Sequence, residues 1–189
     1  FHTLSIEAHG CVVEFFQVTY LLNTPEDFFR FLEEADIKLV RSESLMQWHK
    51  EGIRLPRRQE AEKNWPGCLV QHDEMRSRIE TVNADLDVTG GGGLPDGKTL
   101  EKNCANNPRV VSHVWQSKQH PDPGGSQLHT MVGRGGGVFK DAGQPLEGGL
   151  MYFIDFVCLY QYKRNEGHQT TAFQKSMKNM HVLYASDYT

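Results

Sequence analysis

The hydrophobic and polar positions change period several times along this chain, and each change marks an expected element. From Leu4 to Leu22 the sequence is rich in Val, Phe and Tyr, and Gly10 divides it into two strands or into a strand and a buried helix. Asn23-Thr24-Pro25-Glu26-Asp27 then signals a helix start: Thr24 as cap, Pro25 in the first turn, and two acids at the positive end of the dipole. Phe28, Phe31, Leu32 and Ala35 recur at helical spacing, which predicts a buried face on a helix running to about Ala35. Ser42 is placed to cap a second helix over 43–51 that Gly52 ends. Pro56 opens a short charged helix, and Met75, Ile79, Val82 and Leu86 predict an amphipathic helix over 73–86.

The second half has a different texture. Arg109 to Trp115 is expected to be a strand whose Val110, Val111 and Val114 suit a sheet covered on both faces. His120-Pro121-Asp122-Pro123-Gly124-Gly125 is turn sequence, and Ser126 is placed to cap a helix beginning Gln127-Leu128-His129. Leu150 to Leu159 is the second expected core strand. Asp155 inside it is an acid in an apolar run, which needs a partner or an exposed strand end. Thr170 is placed to cap a last helix presenting Phe173, Met177, Met180 and Tyr184 on one face. Strand, helix, strand is the order of a βαβ unit, and recognition in such units falls at the carboxyl ends of the strands. The expected fold class is therefore α/β with a parallel βαβ core, preceded by a mainly helical extension.

Gly90 to Gly93, followed by Leu94-Pro95-Asp96-Gly97, divides the two textures. Lys98-Thr99 follows Gly97, but Pro95 interrupts and no strand precedes the glycines, so a phosphate loop is not supported and a linker is. The expected organisation is a mainly helical region over 1–88, a glycine-rich linker and turn over 89–107, and the βαβ core over 108–189. A second glycine-rich segment, 133–149, is expected to be a surface loop or insertion.

Composition narrows the function classes. A net charge of −4 with a pI near 6.1 argues against general affinity for phosphate backbones or anionic lipid, so no nucleic-acid function is expected. Cys11, Cys68, Cys104 and Cys158 show no CxxC or zinc-ribbon spacing, which favours reduced thiols in an intracellular compartment. The longest apolar run, Leu150 to Tyr160, contains Asp155 and falls well short of the roughly 20 residues of a membrane helix. Phe1 is no natural start, no signal peptide or transit sequence can be read at this end, and the chain is expected to be a processed product or a fragment of something larger.

Candidate chemistry clusters in the second half. Ser112 and His113 fall near a strand end. His113, His120 and His129 with Asp122 invite a metal reading, but they lack the close pairing on one helix of HExxH sites. The more economical reading has Asp122 and His120 bracing their loop through backbone amides, with no metal assigned. Arg54, Arg57 and Arg58 suggest either an anion site or, preferred, a solvated face paired with Glu60 and Glu62.

Several of these segments occur together in a recognisable order. Val111-Ser112-His113-x-Trp115, His120-Pro121-Asp122-Pro123 with Gln127-Leu128, Phe153-Ile154-Asp155-Phe156 with Leu159-Tyr160-Gln161, and Asn179-Met180-His181-x-Leu183-Tyr184 form a pattern. It resembles that of a large group of proteins of unicellular eukaryotes whose core is similar to TIR and heterokaryon-incompatibility (HET) domains. Leu55-Pro56-Arg57-Arg58-Gln59 is similar to part of their upstream region, and Val114 stands where an arginine is frequent. The resemblance covers the second half well and the first half weakly. It implies a TIR/Rossmann-like core and one of two roles, NAD cleavage or non-catalytic self-association as a scaffold. In enzymatic relatives the key glutamate lies on a helix after the third strand, and the chain stops at Thr189, so no catalytic residue carries over. The expected function is a non-catalytic interaction subunit with protein partners and no cofactor. The alternative is a nucleotide-binding or NAD-cleaving domain. In that alternative Ser112, His113, Trp115, His120, Asp122, Gln127, Asp155, Gln161 and Arg164 are the candidate ligand-binding residues, with Trp115 stacking on a base and Asp155 or Gln161 holding ribose hydroxyls.

Overall fold

Helix α1, Pro25–Glu34, begins where the Thr24-Pro25 signal lies and buries Phe28, Phe29, Phe31 and Leu32. The computed structural model describes residues 3–8, 11–16, 20–21, 24–78, 108–112, 114–133 and 150–185. Thr24 occupies the N-cap position with extended backbone, but its hydroxyl makes no cap bond; the acids of the first turn supply the favourable charge instead. Asp36, just beyond the helix, has φ of 45°, a left-handed conformation that Asp tolerates better than most side chains.

Ahead of α1, β1 (Thr3–Ala8) and β2 (Cys11–Phe16) pair antiparallel, with Thr3 opposite Phe16 and Ala8 opposite Cys11. Gly10 thus separates two strands rather than a strand and a helix.

The central sheet is small and mixed. Strand β5, Met151–Phe153, lies in the middle, with β3 (Val40–Arg41) antiparallel on one side and β4 (Arg109–Val110) parallel on the other. Helix α5, Ser126–Gly133, stands between β4 and β5 in the chain, which gives the expected βαβ order. Two expectations are corrected. The sheet is not purely parallel, because β3 from the first half completes it. Both long apolar runs are also mostly non-strand.

The shortening has a local cause. Val111 still donates its N–H to Phe153 O at 2.9 Å, but beyond Phe153 the partner strand stops, since Asp155–Cys158 coils into the short helix α6. The Cys158 thiol takes the place of a neighbouring strand: Ile154 N–H donates to Sγ at 3.3 Å, and Sγ donates to Tyr152 O at 3.4 Å. Backbone groups that would orphan at the strand end are thereby satisfied from inside the core.

Helix α2, Ser42–Lys50, takes Ser42 as its first residue rather than its cap, because Ser42 N–H is engaged by Leu150 O at 2.9 Å; Gly52 ends the turn with φ of 69°. Helix α3 is Arg58–Asn64, and residues 72–78 form the described part of α4, with Met75 fully buried; residues 79–86 of the expected helix lie outside the described residues. The last expected helix is two. Helix α7, Gly167–Lys178, starts before Thr170, and α8, His181–Ala185, follows a break at Asn179. The inward residues are small: Ser176 donates to both Ala35 O and Ala172 O, drawing α7 onto the end of α1. Met177 and Tyr184, expected on a buried face, are exposed instead.

A single apolar cluster joins Phe28, Leu39, Trp48 and Leu55 of the first half to Leu128, Tyr152, Phe153 and Leu183 of the second. The glycine-rich segments at 89–107 and most of 133–149 lie outside the described residues. No helix among the described residues is long and apolar enough to cross a membrane.

Burial pushes the Cys68 thiol up to about 11 and the Cys158 thiol up to about 12. Thiolate is the species that alkylates. Peptide mapping after iodoacetamide treatment at pH 8 is therefore expected to find both cysteines unmodified in the native protein and modified once urea is present. Native-state alkylation of Cys158 would contradict its place against the strand end.

Candidate functional site

The carboxyl ends of β4 and β5 gather Ser112, Trp115, Asp155 and Tyr184. Trp115 donates from its indole Nε1 to Asp155 Oδ2 at 3.1 Å, and Asp155 Oδ1 accepts the Phe156 N–H at 2.6 Å. The acid within the apolar run therefore stands in the first turn of α6, half-buried and partnered. Ser112 shares a side-chain hydrogen bond with Tyr184. Burial first, and then the Asp155 charge, raise the Tyr184 phenol above its ordinary range, with Ser112 opposing. His113 lies outside the described residues. Three of the predicted residues, Ser112, Trp115 and Asp155, thus meet in one place and are joined by Tyr184, which the sequence suggested only as packing.

The other predicted residues are engaged in local hydrogen bonds, most of them to main chain. Asp122 is fully buried: Oδ2 accepts the Leu128 N–H at 2.9 Å and Oδ1 accepts Ser126 Oγ at 3.4 Å. It is Asp122, not Ser126, that caps α5. Gln127 donates from Nε2 to Val114 O at 2.7 Å and Pro121 O at 3.1 Å, tying the turn to the helix. Gln161 donates to Asp155 O at 2.9 Å and Leu159 O at 3.1 Å. Arg164 donates to Tyr160 O at 3.1 Å and lies 4.2 Å over the Phe173 ring.

His120 uses both ring nitrogens. Nδ1 accepts the Asp122 N–H at 2.9 Å, which leaves Nε2 protonated and facing Leu55 O at 3.0 Å. Burial, the larger influence, lowers its pKa, the Leu55 carbonyl opposing. His129 is elsewhere, its Nδ1 2.9 Å from His49 Nε2 across the α2–α5 contact. Among the described residues no group of three or more His, Cys, Asp or Glu could hold a metal ion.

The arginine cluster divides. Arg57 pairs with Glu60 at 2.5 Å and donates to Tyr162 O at 3.0 Å, as a surface pair would. Arg58 corrects the solvated-face reading. It is fully buried, donates to the Asp36 main-chain carbonyl, to Asp36 Oδ1 at 2.8 Å, to Cys158 O at 3.1 Å and to Tyr160 OH at 3.3 Å, and lies 4.0 Å over the Tyr160 ring. Gln59 beside it exchanges hydrogen bonds with the Gln161 main chain, at 2.7 Å to O and 3.2 Å from N–H. The Leu55 to Gln59 element therefore clamps the segment that follows α6.

Sequence reasoning missed a cleft altogether. Phe156, whose ring meets Trp115 edge-on at 5.6 Å, also lines a cleft of about 490 Å³ together with Ile53, Leu55, Trp65 and His120, with Arg54 and Arg57 among its polar walls. Its walls come from three separated segments, so no local pattern announces it.

The chain matches no family model, no curated protein and no solved structure.

Proposed function

We propose that this chain is a non-catalytic interaction subunit of a larger assembly, built on a TIR/HET-like core. The observation that carries this reading is the surface around the strand ends: Val114 is 82% exposed, Tyr184 51% and Trp115 38%. Large apolar side chains grouped at one edge are characteristic of protein contact surfaces, and Trp and Tyr are the side chains most often found as anchors there. The polar groups that a reaction would need nearby are spent on architecture, since Asp122, Gln127, Gln161 and His120 all bond to main chain. Size-exclusion with light scattering and pull-down from source cells provide the test. The native chain is expected to recover a stoichiometric partner that the Trp115→Ser, Tyr184→Ser double variant loses. A free monomer with no partner would count against the reading.

One arrangement favours a second reading, nucleotide binding or NAD cleavage. The half-exposed Trp115 indole is held by Asp155 beside Ser112, an aromatic face next to an acceptor for ribose hydroxyls. With the Gln161 amide committed to two carbonyls, Asp155 would be the hydroxyl-binding group. Incubation with NAD separates the two: the interaction reading expects no nicotinamide release and no thermal shift, and release would overturn it.

A further inference from the structure

We infer that the cleft between Trp65 and Phe156 is a binding site for a small aromatic carboxylate. The site does not depend on the interaction reading above, because it uses none of the strand-end residues. Its volume of about 490 Å³ falls in the range of small-molecule pockets. Its apolar walls are firm: Phe156 and Leu55 are buried in the core, and the Trp65 ring stands edge-on to Trp48 at 5.6 Å. His120 adds a ring whose two nitrogens are already bonded, so it can pack a ligand but is not free to exchange a proton with one.

The polar groups define the ligand's charge. Arg57 is neutralised by Glu60. Arg54 is exposed and makes only a long contact, 3.5 Å, to Pro123 O, with no ion pair among the described residues. The side-chain amides of Asn64 and Gln119, also in the lining, make no hydrogen bond among the described residues. One guanidinium without an ion pair among the described residues, in a cleft whose lining also holds the Asn64 and Gln119 amides, suits one carboxylate, which it can grip through two parallel N–H donors. A phosphomonoester carries about −1.5 to −2 at neutral pH and would bring surplus charge beside Glu60. General attraction of anions is not the cause, since the chain carries −4 overall.

The test is calorimetric titration of the full chain with 2-naphthoate, 2-naphthamide and 2-naphthyl phosphate, on the native protein and on Arg54→Gln, with circular dichroism verifying that the variant folds. Because the Arg54 guanidinium is exposed and its pairing is screened by water, naphthoate is expected to bind about three- to fivefold tighter than naphthamide. Arg54→Gln should erase the preference for acid over amide. In a parallel NMR titration the Trp65 indole N–H signal, assigned with Trp65→Phe, should move and that of Trp115 should not. Absence of naphthoate binding at millimolar concentration, equal binding of acid and amide, tighter binding of the phosphate, or movement of Trp115 alone would each overturn the assignment.

Discussion

Arg58→Ala is expected to lower folding stability by about 3 kcal/mol, the low end of the penalty for breaking a buried ion pair, because Arg58 is fully buried while its partner Asp36 is partly exposed. A domain of this size holds only about 5–15 kcal/mol in total, so the variant should unfold at much lower urea. The effect is large because Arg58 joins three distant parts of the chain. It reaches Asp36 after α1, Cys158 at the end of α6, and Tyr160 beyond it, while lying wholly out of solvent. Without it Cys158 O loses its donor in the interior and the partly exposed Asp36 Oδ1 loses its ion-pair partner. Arg58→Lys is expected to recover only part, since an ammonium cannot present the same planar fork of donors.

The pH dependence carries a sign that checks this account. Burial pushes the Asp36 carboxyl up, but the Arg58 charge and the hydrogen bonds from Tyr160 and Arg58 outweigh it and hold the group below its ordinary range. A lowered folded-state pKa contributes stability that is present above the unfolded value, about 3.9, and is lost as pH falls below it. In Arg58→Ala the burial remains, opposed only by the Tyr160 bond and the weaker attraction of Lys38, so the ionised carboxylate costs more at neutral pH and protonation relieves that cost. The stability gap between native and variant proteins should therefore narrow as pH falls through 5 to 3, a range about the carboxylate values. Urea midpoints measured across that range provide the check, and a gap that widens on acidification would exclude Arg58 as the group holding Asp36 ionised.

How much of this was legible beforehand depended on whether the causes were local. Helix α1 was, because the cap position, the proline and the first-turn acids are all local, and its Phe28, Phe31 and Leu32 face inward as their spacing requires. The two apolar runs were over-read as strands, because Val111, Val114 and, Asp155 apart, Ile154 to Leu159 are as apolar as any strand. What ends the sheet is the Cys158 thiol satisfying Ile154 and Tyr152, which no period reveals. Arg58 was misread for a similar reason. With Glu62 at i+4 and 3.3 Å away it has the signature of a surface pair, and only the tertiary approach of Asp36 and Tyr160 buries it. The strand-end group was half legible: Ser112, Trp115 and Asp155 were named from their positions, while Tyr184 arrives from α8 because the helix break at Asn179 turns it outward.

Asp122→Ala is the second large effect expected, a loss of about 2–4 kcal/mol. The figure combines a lost helix cap, about 0.5–2 kcal/mol, with the desolvation of a buried N–H left without an acceptor, about 1–3 kcal/mol. Leu128 N–H is that donor, 2.9 Å from Oδ2 and shielded from water. Asp122→Asn keeps an acceptor oxygen and, Asn capping about as well as Asp, should retain most of the stability. The pair of variants separates architecture from chemistry, because a carboxylate needed for a reaction would be lost equally in both, whereas a cap survives in the amide. Hydrogen exchange at Leu128 N–H gives the local readout: fast in Asp122→Ala, protected in Asp122→Asn. The consequence should extend to the cleft wall, since the Asp122 N–H holds His120 Nδ1 and His120 Nε2 in turn holds Leu55 O. A turn loosened at Asp122 frees the His120 ring, and with it the part of the cleft wall that packs on Phe156. If Asp122→Ala left both the urea midpoint and the Leu128 exchange rate unchanged, the buried carboxylate would not be the cap of α5.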